Sequence, residues 1–180
     1  IANRSPEKAG ALAAEISCQV KSNAEIAAWA DYLFLGVKPQ AMGDLLAELA
    51  PILAEREDRF VLVSMAAGLA IVDIQAMAGG DYPVLRIMPN TPAAVGKGMM
   101  LVHTENCPAA LADEFERIMA QSGRMDRIPE SLSDAAATVS GCAPAFAYQF
   151  IEGLADGAVM AGVPRDKAMT YAAQALLGAA

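Results

Sequence analysis

Short unbroken apolar runs alternate with stretches of helical periodicity through the first two thirds of the chain. Tyr32–Val37, Phe60–Ser64 and Val84–Met88 are apolar runs of strand length. Between and after them, Ala41–Leu53, Ile71–Met77 and Ala109–Ser122 read as helices. An earlier helix, Glu7–Glu15, follows Ser5 as N-cap and Pro6 at the first helical position. Ser17–Val20 reads as a short strand, and Met99–Val102 and Arg124–Ile128 as weaker edge strands around the Ala109–Ser122 helix. Continuous apolar strands without alternation predict a parallel sheet covered by helices on both faces. Ile1–Ala2 read as the tail of a strand entering the Ser5 turn. The first strand-loop-helix unit of such a fold is then absent from these residues.

The pattern changes after about Pro129. No strand signal remains, and Phe146, Phe150, Leu154 and Ala158 repeat every four residues as a helical face. Gly162-Val163-Pro164 ends that helix, and Arg165–Gly178 starts another. An Ala- and Gly-rich helical pair packs closely, internally or against a second subunit. Two units are expected, residues 1–129 and 130–180, the second incomplete at its C-terminus.

Composition narrows the partners. The chain has 180 residues, of which 55% are hydrophobic, so a sizeable core is available. Its longest uncharged run, between Asp134 and Glu152, is short of the ~20 apolar residues of a membrane span. No basic segment precedes an apolar one, so no export signal is read, although a removed leader stays open. The net charge of -8 argues against nucleic acid and anionic membranes as partners. Three widely spaced cysteines without a CxxC point to a reducing, cytoplasmic setting. With His103 the only histidine, no His/Cys metal cluster is available, so no metal is expected; His103 itself reads as structural or surface.

Open parallel sheets bind ligands beyond the carboxyl ends of their strands. The strand exits here are Asn3-Arg4-Ser5, Lys38-Pro39-Gln40, Met65-Ala66-Ala67-Gly68 and Pro89-Asn90-Thr91-Pro92. In a dinucleotide fold, a carboxylate after the second strand takes the 2′-OH of NAD, whereas arginine among small polar residues accepts the 2′-phosphate of NADP. Asn3-Arg4-Ser5 is of the second kind, though a Ser-Pro helix start with a solvated arginine has the same letters. Lys38-Pro39 is equally a strand stop with a solvated lysine. Met65–Gly68 lets a flat ring approach the backbone or lets a helix pack closely. In Pro89–Pro92 two prolines bracket a polar pair and fix its direction, which favours a ligand-facing turn. Gly96-Lys97-Gly98 lacks a third glycine and precedes a strand, so it is no phosphate loop. Glu152 and Asp156 read as a solvated helix face.

LFLGVKPQ, VSMAAG, RIMPNTPAAVGKG, VSGCAPAFAYQFIEGLADGAVMAGVPRDKA and AAQALLGAA occur in one order over nearly the whole chain. With these segments the sequence resembles pyrroline-5-carboxylate reductases, which make L-proline by reducing a cyclic imine with NAD(P)H. MPNTP followed by SG-x-x-PAF is specific to that family, as a bare Rossmann pattern is not. The resemblance implies an α/β fold: a Rossmann-like parallel sheet followed by a helical dimerisation domain, assembled as a homodimer or larger homo-oligomer. It implies NADPH as cofactor, with NAD as an alternative, and 1-pyrroline-5-carboxylate as substrate. Asn3, Arg4 and Ser5 match the segment holding the adenosine ribose and its 2′-phosphate, and Asn23 an asparagine near the adenine. Gly36, Val37, Lys38 and Pro39 match the loop beside the ribose and phosphates, and Met65, Ala66 and Ala67 the loop at the nicotinamide. Asn90, assigned to the cofactor, and Thr91, assigned to the substrate, lie where the two pockets meet. Ser140, Cys142, Ala143 and Pro144 match the helix start beside the imine.

Three departures qualify the match. The glycine-rich turn that cradles the pyrophosphate does not occur in these residues. Neither does the later Gly-Gly-Ala-Thr stretch whose threonine contacts the imine and carboxylate, and no catalytic residue is assigned without it. The usual SGSGPA reads Ser-Gly-Cys-Ala-Pro-Ala: Ala143 adds a methyl group, and Cys142 keeps the size of serine but loses a good hydrogen-bond donor. A related NADP-dependent imine or hydroxy-acid reductase, and a non-catalytic dimerisation module on a decayed nucleotide fold, are the competing expectations.

Overall fold

The computed structural model describes all residues, Ile1–Ala180. The chain runs α1 (Pro6–Ile16), α2 (Asn23–Ala27), β1 (Tyr32–Leu35), α3 (Met42–Ala54), β2 (Val61–Ser64), α4 (Ile71–Ala78), β3 (Val84–Met88), β4 (Gly98–His103), α5 (Ala109–Met119), β5 (Gly123–Arg127), α6 (Ser133–Ser140), α7 (Ala143–Met160) and α8 (Arg165–Ala179). The strands form one sheet in the order β1-β2-β3-β4-β5.

Apolar runs become strands here because both faces of the sheet's centre are covered, while on edge strand β1 Phe34 stays exposed. Leu33, Leu35, Leu62 and Val84 point into a core shared with Leu46, Leu49 and Leu53 of α3 and Ile74 of α4. Val61, Val63, Leu85 and Ile87 point the other way, onto Ala112 and Phe115 of α5. Each fully buried Leu or Val contributes about 1.5–3 kcal/mol through removal from water. The result is a Rossmann-like sheet followed by a helical segment.

Three expectations are corrected. The sheet is mixed rather than parallel: β1, β2 and β3 are parallel, but β3 and β4 are antiparallel. The link Pro89–Lys97 is shorter than the dozen or more residues of a parallel crossover, so the chain turns back through a 3-10 turn, Thr91–Val95. Met99–Val102 therefore belongs to an interior strand, paired on its other side with β5. Lastly, Ser17–Val20 is not a regular strand. Ser17 closes α1 in the left-handed conformation, and only one parallel bridge follows: the Ile1 amine donates to Gln19 O (2.6 Å) and Lys21 N donates to Ile1 O (3.0 Å).

Glycine is required where β4 and β5 begin side by side. Gly123 has φ 133, and a side chain there would collide with the carbonyl of its partner Gly98.

The helical segment is thinly packed. Only Ala155, Ala168 and Ala172 are buried between α7 and α8. The expected face of Phe146, Phe150 and Leu154 exists, but it is open, with Phe146 66% and Phe150 57% exposed.

Candidate active site

The exits of β1 and β2 meet in a cavity of about 350 Å³ lined by Leu35, Gly36, Val37, Lys38, Pro39, Met65, Ala66 and Ala67. Parallel register accounts for the meeting, since Leu35 pairs with Ser64 at the last position of both strands. Buried Ser64 shapes the second loop by accepting the Ala66 N–H on its hydroxyl at 3.3 Å. Pro39 halts β1 and opens a 3-10 turn, leaving Lys38 extended and exposed at the rim. All seven sequence-assigned residues of these two loops line the cavity, and Leu35 joins them.

Asn3, Arg4, Ser5 and Asn23 lie outside this cavity. The Ile1 bridge runs parallel to Gln19–Lys21, so both segments leave it in the same direction. Asn3 Oδ1 accepts the Ser5 N–H at 2.9 Å and bends the chain into α1, with Arg4 exposed at the bend. Asn23 is the first residue of α2, whose N-cap Ser22 exchanges hydrogen bonds with Glu25. The backbone N–H and hydroxyl of Ser22, helped by Lys21, hold the Glu25 carboxyl down at about 2.

Asn90 and Ser140 are brought together across fifty residues of sequence. Asn90 Nδ2 donates to Ser140 O at 2.8 Å, and Asn90 Oδ1 accepts the Met99 N–H at 3.0 Å. Its amide is therefore engaged within the protein. Thr91, Cys142 and Ala143 are exposed and Pro144 is half-buried; none of them lines the cavity.

Sequence reasoning missed a polar cluster beneath this region. Arg86 on β3 is buried, and its Nη1 donates to Glu130 Oε1 at 3.0 Å. The same oxygen accepts the N–H of Ile71, the first residue of α4, at 2.9 Å. His103 contacts Ile128 O through Nδ1 and Ser133 Oγ through Nε2, each at 3.0 Å. The one available signal was a charged residue inside the apolar run VLRIM, which a fully covered strand admits only with a partner.

The cavity suits a dinucleotide in part. Gly36 and Ala67 are small and exposed on its wall, Ala66 is buried, and a side chain on Gly36 would come only to 4.0 Å from Met65 Cε. Lys38 sets a cation at the cavity's rim. Arg4 offers a second cation at the other cluster, and no carboxylate lines the cavity.

A model described as pyrroline-5-carboxylate reductase dimerisation matches residues 130–180, and one described as NADP oxidoreductase, coenzyme F420-dependent, matches residues 1–68. A pyrroline-5-carboxylate reductase of Glycine max is 39% identical over 163 residues, covering 88% of this chain and 57% of its own. One from Corynebacterium melassecola is 34% identical, covering all of this chain and 67% of its own. The chain belongs to the pyrroline-5-carboxylate reductase family. A solved Plasmodium falciparum pyrroline carboxylate reductase with NADP bound has a TM-score of 0.84 at 28% identity, over 98% of this chain and 64% of that one. The chain thus spans a little over half the length of the Glycine max reductase and about two thirds of the other two. Within this family the Asn90–Ser140 contact joins the turn of the MPNTP motif to the start of the SGCAPA segment.

Proposed function

We propose that the protein reduces 1-pyrroline-5-carboxylate to L-proline with NADPH, residues 1–129 holding the cofactor and 130–180 forming part of a helical dimerisation and substrate unit. The observation that carries this reading is the cavity at the β1 and β2 exits, with the Asn90 turn beside it tied to Ser140. The NADP bound to the Plasmodium relative supports the choice of cofactor. When bound, the nicotinamide supplies the hydride that reduces the C=N carbon. Met65, Ala66 and Ala67 stand at the ring, Gly36–Pro39 beside the ribose and phosphates with Lys38 neutralising charge, and Arg4, with Asn3 and Ser5, takes the 2′-phosphate. Asn23 stands at the adenine side. Thr91 and Ser140–Pro144 face the imine.

What these residues contribute is geometry, since holding the reactants in a near-attack arrangement accounts for a large part of such a rate. They offer no general acid at the pocket. The exposed faces of α7 support a homodimer as the working form. Three unpaired thiols support a reducing compartment such as the cytoplasm. Stopped-flow oxidation of NADPH by the full-length protein with pyrroline-5-carboxylate tests the proposal. Saturable turnover at neutral pH is the expected result, and its absence removes the reading.

A further inference from the structure

We propose that His103 and Asn90 are positioning residues for the reduction: they pin α6 at both ends and thereby fix the Ser140–Pro144 turn beside the Asn90 turn at the exit of β3. This rests on the reductase reading. At the first end, His103 is fully buried at the close of β4. A carbonyl only accepts, so its Nδ1 carries the proton donated to Ile128 O, and Nε2 accepts from the Ser133 hydroxyl, both at 3.0 Å. Ser133 is the first residue of α6 and is itself buried. At the second end, Asn90 Nδ2 takes the carbonyl of Ser140, the last residue of α6, at 2.8 Å. That carbonyl is one that the helix cannot satisfy internally.

Both pins trace back to one strand. His103 lies on β4, and the N–H of Met99 on β4 holds Asn90 Oδ1 at 3.0 Å. The helix has little apolar anchorage of its own: its only buried residue is Ser133, with Ala136 and Ala137 half-buried. Polar contacts at its two ends, with Arg86 Nη2 of β3 4.0 Å from Asp134 Oδ1, therefore set the distance and angle between the sheet that carries the cofactor loops and the turn that faces the imine. An ångström of slack in such an arrangement costs on the order of a hundredfold in rate.

Single-turnover NADPH oxidation by the full-length protein separates positioning from folding, because the amplitude counts active sites and the rate constant reports their geometry. Ser133→Ala and Asn90→Asp are each expected to slow the rate constant by about tenfold or more. For Ser133→Ala the amplitude and the NADPH Kd should stay within about twofold of wild type, and Ser133→Thr, which retains the hydroxyl, should recover most of the rate. Unchanged rate constants, or losses confined to amplitude, would overturn the inference. So would a rise in NADPH Kd that accounts for the whole effect of Asn90→Asp. No turnover by wild type would instead remove the reductase reading itself.

Discussion

Arg86 and Glu130 form an ion pair of 3.0 Å between the centre of the sheet and the link to the helical segment, with the Arg86 side chain 6% exposed. Glu130 Oε1 also takes the N–H of Ile71 and so caps α4 from a distance in sequence. Glu130→Ala strips a buried guanidinium of its close partner and should destabilise the protein by about 3 kcal/mol. Glu130→Gln keeps an acceptor for Ile71 and should cost less. Urea unfolding followed by circular dichroism measures both, and equal losses for the two would show that the charge carries the whole effect and the hydrogen bond to Ile71 none of it.

Arg4 decides cofactor choice if it meets the 2′-phosphate. Arg4→Ala should raise the KM for NADPH by about tenfold or more and leave that for NADH nearly unchanged, since a charge-assisted contact to phosphate is lost in one case only. Steady-state kinetics with both cofactors checks this, and equal effects would place the arginine away from the phosphate.

Cys107 should be a poor nucleophile. Burial pushes its thiol up to about 11, with Arg127 opposing weakly. A thiol raised in the fold is protonated at pH 8, so alkylation by iodoacetamide should run roughly a hundredfold slower than in the urea-unfolded chain. Exposed Cys142 should be labelled ahead of it. Peptide mass mapping over a time course reads the order.

The open face of α7 should be an interface. Phe150→Glu puts a charge amid Phe146 and Leu154, which burial against a second copy would leave unpaired. Light scattering should show the oligomer mass of wild type fall toward that of a monomer, with NADPH binding retained. An unchanged mass would assign the face another role.

Particular elements show how far the sequence could be read. YLFLGV, FVLVS and VLRIM became β1, β2 and β3 because strands buried in a covered sheet read as nearly unbroken apolar runs, Ser64 and Arg86 being the polar exceptions. The helix at Pro6 was legible from Ser5-Pro6, a local signal. By contrast, α6 carries no apolar periodicity, since its only fully buried residue is a serine. The place of β4 was misread because an edge strand and an interior strand share the same letters.

Seven of the loop residues assigned from the chain line one cavity, because strand exits in a parallel sheet share an edge by construction. No such rule brings His103 to Ser133, Arg86 to Glu130 or Asn90 to Ser140, which lie thirty, forty-four and fifty residues apart. The sequence by itself determined the covered sheet, its helices and the two loops at its edge, since burial and turn chemistry act over a few residues. Only the tertiary structure decided the antiparallel return of β4 and the partners of the buried polar groups. Those depend on which distant donor and acceptor the fold sets within hydrogen-bonding reach.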